Sequence, residues 1–128
     1  MTTTSLVILP STSRGDTTTR DHVNDQYTAA DFIVDQTAQG STVAFVSVAL
    51  QGRVLGTTKY YTVGTISPAT AATFTRRLKV GPQATTALDS TALVTTTVNE
   101  ALPPVWRIAS TNVSTATVTY SVTANFYP

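Results

Sequence analysis

The chain has 128 residues; 28 are threonine, ten serine and 15 valine, charged residues make up 12%, and cysteine is absent. That length suits one domain, and the lack of cysteine excludes a disulfide scaffold, a thiolate metal site and thiol catalysis. A formal charge of +1 offers no broad field for nucleic acid or a membrane surface, while β-branched Thr and Val fit a pleated strand better than a helix.

Charge is unevenly placed. Residues 1–50 sum to −3 and residues 51–128 to +4, an asymmetry that would let the front of one subunit lie on the back of another. No apolar run approaches the ~20 residues that span a bilayer, and no basic region precedes Leu6–Leu9 in the manner of a signal peptide. The expectation is a chain made in the cytoplasm and used without export.

Residues 1–26 are polar apart from Leu6, Val7, Ile8, Leu9 and Val23, and Pro10 and Gly15 interrupt them. So polar a segment does not offset its own ordering entropy, which predicts an extended N-terminal arm, followed by a β domain over 27–128. The cluster Leu6–Leu9 has the character of a hook that adds a strand to a sheet edge or fills a groove on a neighbour. The alternative is a terminus with one strand folded back on its own domain.

From Tyr27 onward strand patterns follow one another. Ala30, Phe32 and Val34 alternate with Asp31, Ile33 and Asp35. Thr42–Leu50 carries apolar side chains on both faces, which suits a central strand. After the turn signals Gln51-Gly52 and Gly56 comes Thr57–Ile66, with Tyr60, Tyr61 and Val63. Ser67–Thr73 reads as a loop or a short helical turn. Phe74, Leu78 and Val80 mark a strand whose other face shows Arg77 and Lys79, ended by Gly81-Pro82. Ala92–Val98 and Val105–Ser110 flank the breaker Leu102-Pro103-Pro104. In the last strand Val118, Tyr120, Val122, Ala124 and Phe126 alternate without error against Thr117, Thr119, Ser121, Thr123 and Asn125. The expected fold is all-β, an antiparallel sandwich of seven or eight strands, jelly-roll or immunoglobulin-like, with antiparallel pairing inferred from short connections.

Chemistry-bearing constellations are scarce. His22, the only histidine, sits between Asp21 and Asp25 in the polar segment, where no core would hold an imidazole against a nucleophile; a solvated side chain is expected. Asp31 and Asp35 share one strand face, which suits water better than a glycosidase cleft. Asp16, Asp21, His22 and Asp25 lack any standard metal-loop spacing, and the six glycines form no phosphate loop or dinucleotide fingerprint. Arg76, Arg77 and Lys79 beside Phe74 make the only basic cluster, weak for a single-strand binder and better suited to a subunit contact. Arg14-Gly15-Asp16 spells an integrin tripeptide, and Asn112-Val113-Ser114 a glycosylation sequon. Lys59, Asn99 or Asn125, and Glu100 supply the residue types of a Lys–Asn cross-link catalysed by an acid. Trp106, alternating with Ile108 and opposite Arg107, has the spacing of a core anchor. The sequence therefore predicts no enzyme, no cofactor and no metal.

Three stretches carry a resemblance: Gly81-Pro-Gln-Ala-Thr-Thr-Ala87, Leu102-Pro-Pro-Val-Trp-Arg-Ile108 and Thr117-Val-Thr-Tyr-Ser-Val-Thr-Ala124. Together they resemble the small virion proteins of tailed phages, especially phages of actinobacteria. Asp31-Phe-Ile-Val-Asp35, Ser41-Thr-Val-Ala-Phe-Val-Ser-Val48 and Lys59-Tyr-Tyr-Thr-Val63 are similar to the preceding strands of those proteins, so the likeness covers about residues 28–126. The chain departs from the pattern where Arg53-Val54-Leu55-Gly56 replaces an acidic turn, and in its long arm. The resemblance implies a capsid decoration protein on the virion surface, with the major capsid protein and copies of itself as partners, a homotrimer, and neither nucleic acid nor membrane. Leu6, Val7, Ile8, Leu9, Arg76 and Arg77 are the expected interface residues. The alternatives are a tail-tube, baseplate or other minor structural protein, a pilin- or adhesin-like module, and a carbohydrate-binding module using Tyr60, Tyr61, Tyr120 and Tyr127.

Overall fold

A computed structural model describes residues 4–40, 46–67, 73–82, 93–112 and 117–128. Ten strands run through them: β1 (Thr4–Arg14), β2 (Thr17–Thr18), β3 (His22–Val23), β4 (Ala29–Gln39), β5 (Val46–Arg53), β6 (Tyr60–Ile66), β7 (Phe74–Val80), β8 (Leu93–Val98), β9 (Val105–Asn112) and β10 (Val118–Tyr127). They form two sheets. One has the order β1-β10-β4-β7-β8; the other runs β2-β9-β5-β6, with β3 also on β9. Seven strands fall within residues 27–128, close to where the alternation predicts them, but Gln51 and Gly52, expected in a turn, belong to β5. Residues 41–45 of the expected second strand and 68–72 of the expected loop lie outside the described residues.

Both sheets contribute to one core. Phe32, Val34, Leu78, Val80, Val118, Tyr120 and Val122 come from the first sheet, and Val46, Val48, Leu50, Ile66, Trp106 and Ile108 from the second. The period of two along each strand sends these side chains inward, and each large one contributes about 1.5–3 kcal/mol on burial. Two buried polar groups join the sheets: Gln36 Oε1 accepts from the backbone N–H of Val46 at 3.1 Å, and the Tyr120 phenol bonds the Ser110 hydroxyl. At Gly64 on β6 an added Cβ would sit 2.8 Å from Val98 Cγ2 and 2.9 Å from Leu78 Cδ1, so this glycine lets the second sheet close on β7 and β8.

Three expectations are corrected. Not all pairing is antiparallel: β7 and β8 are parallel. The connection over residues 81–92 is about a dozen residues long, the length that a parallel crossover needs. Asp31 is not a solvated residue of an open face; it is 8% exposed and accepts a hydrogen bond from the Tyr127 phenol at 3.0 Å. Residues 4–24 do not run free of the sheets. They carry β1, paired with β10 from Thr4↔Phe126 to Arg14↔Val118, and β2 and β3, paired with β9. Backbone pairing along an otherwise open edge holds a segment too polar to hold itself. The alternative of a strand folded back on its own domain describes β1.

Candidate functional site

The course of residues 4–27 makes a cleft. β1 lies on the edge of the first sheet and β3 on the edge of the second, and between them opens a space of about 280 Å³ bordered by Leu6, Val23, Asn24, Tyr27, Trp106 and Phe126. Its aromatic wall is built by register. His22 pairs with Trp106, Phe126 pairs with Thr4 and with Ala30, and alternation on β9 and β10 turns Trp106 and Phe126 inward. The rings of Trp106 and Phe126 are 5.8 Å apart, Phe32 meets the indole edge-on at 5.3 Å, and Tyr27 lies 5.4 Å from Phe126. Such offset and edge contacts are the favoured aromatic geometries.

His22 covers the indole, with ring centroids 4.4 Å apart and planes at 13°. The histidine expected to be solvated is instead half-buried, with one face on the indole. Burial, assisted by the nearby Arg20 and opposed by Asp21, lowers its pKa below the ordinary 6.5. The neighbouring residue anchors the segment. Asp21 Oδ2 receives Arg53 Nη1 at 2.9 Å, and its two oxygens receive the Tyr60 phenol at 2.7 and 2.9 Å. The Arg107 guanidinium stacks 3.5 Å above the Tyr60 ring while its Nε donates to Gln51 Oε1 at 2.8 Å, so the outer face of β9, β5 and β6 presents a polar plate to Asp21. Hydrogen bonding to the Asp21 carboxylate, with some burial, raises the Tyr60 pKa above 10.0. On the other flank Asn24 closes a turn: its Nδ2 donates to the Tyr27 carbonyl at 2.8 Å and its Oδ1 accepts from the Tyr27 N–H at 3.0 Å. Its own N–H reaches the Pro104 carbonyl at 2.8 Å. The Tyr27 hydroxyl shares a 2.7 Å bond with Thr4 Oγ1 across the cleft mouth.

The expected interface residues divide. Leu6 and Val7 are exposed, whereas Ile8 and Leu9 are half-buried against the core. Arg76 and Arg77 lie on β7, two strands from β10 and further from β1, and both are engaged: Arg76 Nη1 donates to the Ser67 carbonyl and Arg77 Nε to Thr95 Oγ1, each at 3.1 Å. The structure does not bring the hook and the arginines together. Arg14-Gly15-Asp16 is tied to the domain at both ends, since Asp16 Oδ1 accepts from the Asn112 N–H at 2.7 Å and the Arg14 guanidinium stacks over Tyr120 at 4.9 Å, while Gly15 and Asp16 stay exposed. Residues 113–114 of the sequon lie outside the described residues. Lys59 belongs to the β5–β6 turn of one sheet and Asn125 to the other, so that cross-linking pair does not meet. Of the four tyrosines offered for a carbohydrate, Tyr120 is fully buried and Tyr61 exposed, and Tyr60 and Tyr127 are tied to Asp21 and Asp31.

Among the described residues no three His, Asp or Glu gather into a metal-binding group, and no helix is long and apolar enough to cross a membrane. What the cleft offers chemically is an apolar socket with aromatic walls and amide and hydroxyl groups at its mouth. Comparison of the chain with family models, with curated proteins and with solved structures returns no match.

Proposed function

We propose that the two sheets form a sandwich that serves as a structural part of a virion, a capsid decoration protein bound to the outside of a tailed-phage shell and to copies of itself. The choice of a phage shell rests on the resemblance of residues 28–126 to small virion proteins. The observation that carries an assembly role is the placement of residues 4–24, which run along an edge of each sheet and leave Leu6, Val7 and Val23 exposed, Leu6 and Val23 at the borders of one cleft and Val7 on the β1 edge outside it. Apolar groups grouped on an otherwise neutral, hydroxyl-rich surface mark a contact face, and repeated copies on a lattice strengthen a weak contact through effective concentration.

The experiment is co-expression with the major capsid protein of the same genome, followed by sedimentation of the shells. The protein is expected to sediment with shells at a fixed, saturable ratio, and the pair Leu6→Asp and Val7→Asp to remove it while leaving the protein folded. Shells that never carry it overturn this reading, and rings or tubes formed by the purified protein alone would favour the tail-tube alternative.

A further inference from the structure

The turn between β5 and β6 is the counterpart of the cleft. Val54 and Leu55 stand exposed at its tip, Leu55 to 64%, and Gly56 at φ 78° allows the tight reversal. Arg53 Nε holds the turn by donating to the Thr57 carbonyl at 2.6 Å, and Val54 and Lys59 pair through their backbones at 2.9 Å. The tip is thus a fixed knob with two branched apolar side chains in water. The cleft is a hole with the opposite need: Leu6 is 41% exposed and Val23 78% exposed at its borders. Its volume of about 280 Å³ falls just below the ~300–1,000 Å³ usual for small-molecule sites, and suits an inserted side chain.

Knob and hole occupy the same end of the molecule. His22, Trp106, Gly52 and Tyr61 form one row across β3, β9, β5 and β6, and the turn continues from that row beside the Asp21–Arg53 ion pair. Two complementary features side by side on one end satisfy a two-fold axis running between them, because each copy then offers its knob to the other's hole. Charge agrees with the pairing. Lys59 is exposed next to the tip and Asp25 exposed next to the cleft, and neither takes part in an ion pair among the described residues.

We propose that two copies of this chain associate end to end, with Leu55 of each seated in the cleft between Leu6 and Val23 of the other and with Lys59 facing the other copy's Asp25. The inference deepens the assembly reading above by naming the partner, and it also stands on the knob and the hole alone.

The test is the mass of the purified full chain by light scattering and sedimentation, from micromolar to about 100 µM, a range set by the micromolar-to-millimolar affinities of small contacts. A dimer is expected for the parent chain. Leu55→Asp and Val23→Asp should each shift it to monomer with an unchanged circular dichroism spectrum, while Val7→Asp, on the β1 edge outside the cleft, should leave the dimer intact. Asp25→Lys or Lys59→Asp alone should weaken the dimer at least tenfold, and the two reversals together should restore it. Since the chain lacks cysteine, Leu55→Cys with Val23→Cys should oxidise to a covalent dimer. A monomer throughout the concentration range, or a trimer indifferent to Leu55→Asp, overturns the proposal. A dimer that fails to bind shells overturns the virion reading and leaves this contact standing; a parent chain that binds shells but stays monomeric throughout the range does the reverse.

Discussion

The imidazole of His22 lies flat on the indole of Trp106, 4.4 Å between centroids, and so the only histidine of the chain reports on its only tryptophan. The stack also fixes β3, a strand of two residues, to the edge of β9.

Because burial lowers the His22 pKa below 6.5, the unfolded chain takes up this proton at higher pH than the folded one. Stability from the stack is therefore complete above 6.5 and is lost as pH falls through the depressed folded value. Urea midpoints at about pH 7.5 and about pH 5 should differ more for the parent than for His22→Phe, which stacks without titrating. Tryptophan emission should titrate with a midpoint below 6.5 in the parent and stay flat in the variant. Equal losses of stability in both proteins would sink the assignment.

Asp21 holds the same segment through Arg53 and Tyr60. These groups are partly exposed, so Asp21→Asn should cost no more than about 1 kcal/mol in global stability. Its larger effect should be local, as faster amide exchange over residues 19–24 with the core unchanged. The phenol of Tyr60, raised chiefly by its hydrogen bond to the Asp21 carboxylate, should ionise at lower pH in the variant, visible in ultraviolet absorbance. Exchange rates identical to the parent would mean that the plate of Arg53, Tyr60 and Arg107 does not hold the segment.

The legible parts of this fold are those with long alternation. Val118 to Phe126 reads without error because every second residue is apolar, and the structure buries each of them. Trp106 and Ile108 were readable for the same reason. β2 and β3 were not, since two residues carry no period, and the polarity of their surroundings argued for a free arm. Sheet edges supply what composition lacked: backbone partners on β9 and β10. The cleft was illegible as well, because it joins residues 4–6, 22–27, 106 and 126, and no pattern along the chain brings those together. The direction of β8 was hidden likewise, with only the length of the connection after Gly81 as a hint. Asp31 looked solvated because its strand neighbours alternate correctly, and only the fold brings Tyr127 over it.

Gly64→Ala should be costly although it lies in a strand. Its Cβ would meet Val98 and Leu78 at under 3 Å, and overpacking of this kind typically costs about 1–3 kcal/mol. Gly15→Ala, which meets nothing within 4 Å, should be close to neutral. Thermal denaturation of the two variants decides the matter, and a Gly64→Ala protein as stable as the parent would mean that the sheets separate there at little cost.

The link between Tyr120 and Ser110 predicts an order of effects. Tyr120 is fully buried and Ser110 nearly so. The Ser110 hydroxyl donates to the Thr17 carbonyl at 3.2 Å, so it accepts from the Tyr120 phenol. In Tyr120→Phe the serine keeps its donor bond and loses only an incoming proton, a cost of about 0.5–1.5 kcal/mol. In Ser110→Ala the phenol is left buried with an unmatched O–H, for about 1–3 kcal/mol, and β2 loses a tie to β9. Ser110→Ala should therefore be the more damaging variant by urea denaturation. The double variant should be more stable than the sum of the two losses predicts, because without the phenol oxygen the alanine leaves no buried O–H unmatched. If Tyr120→Phe proved the worse of the pair, the phenol would be serving a partner other than Ser110.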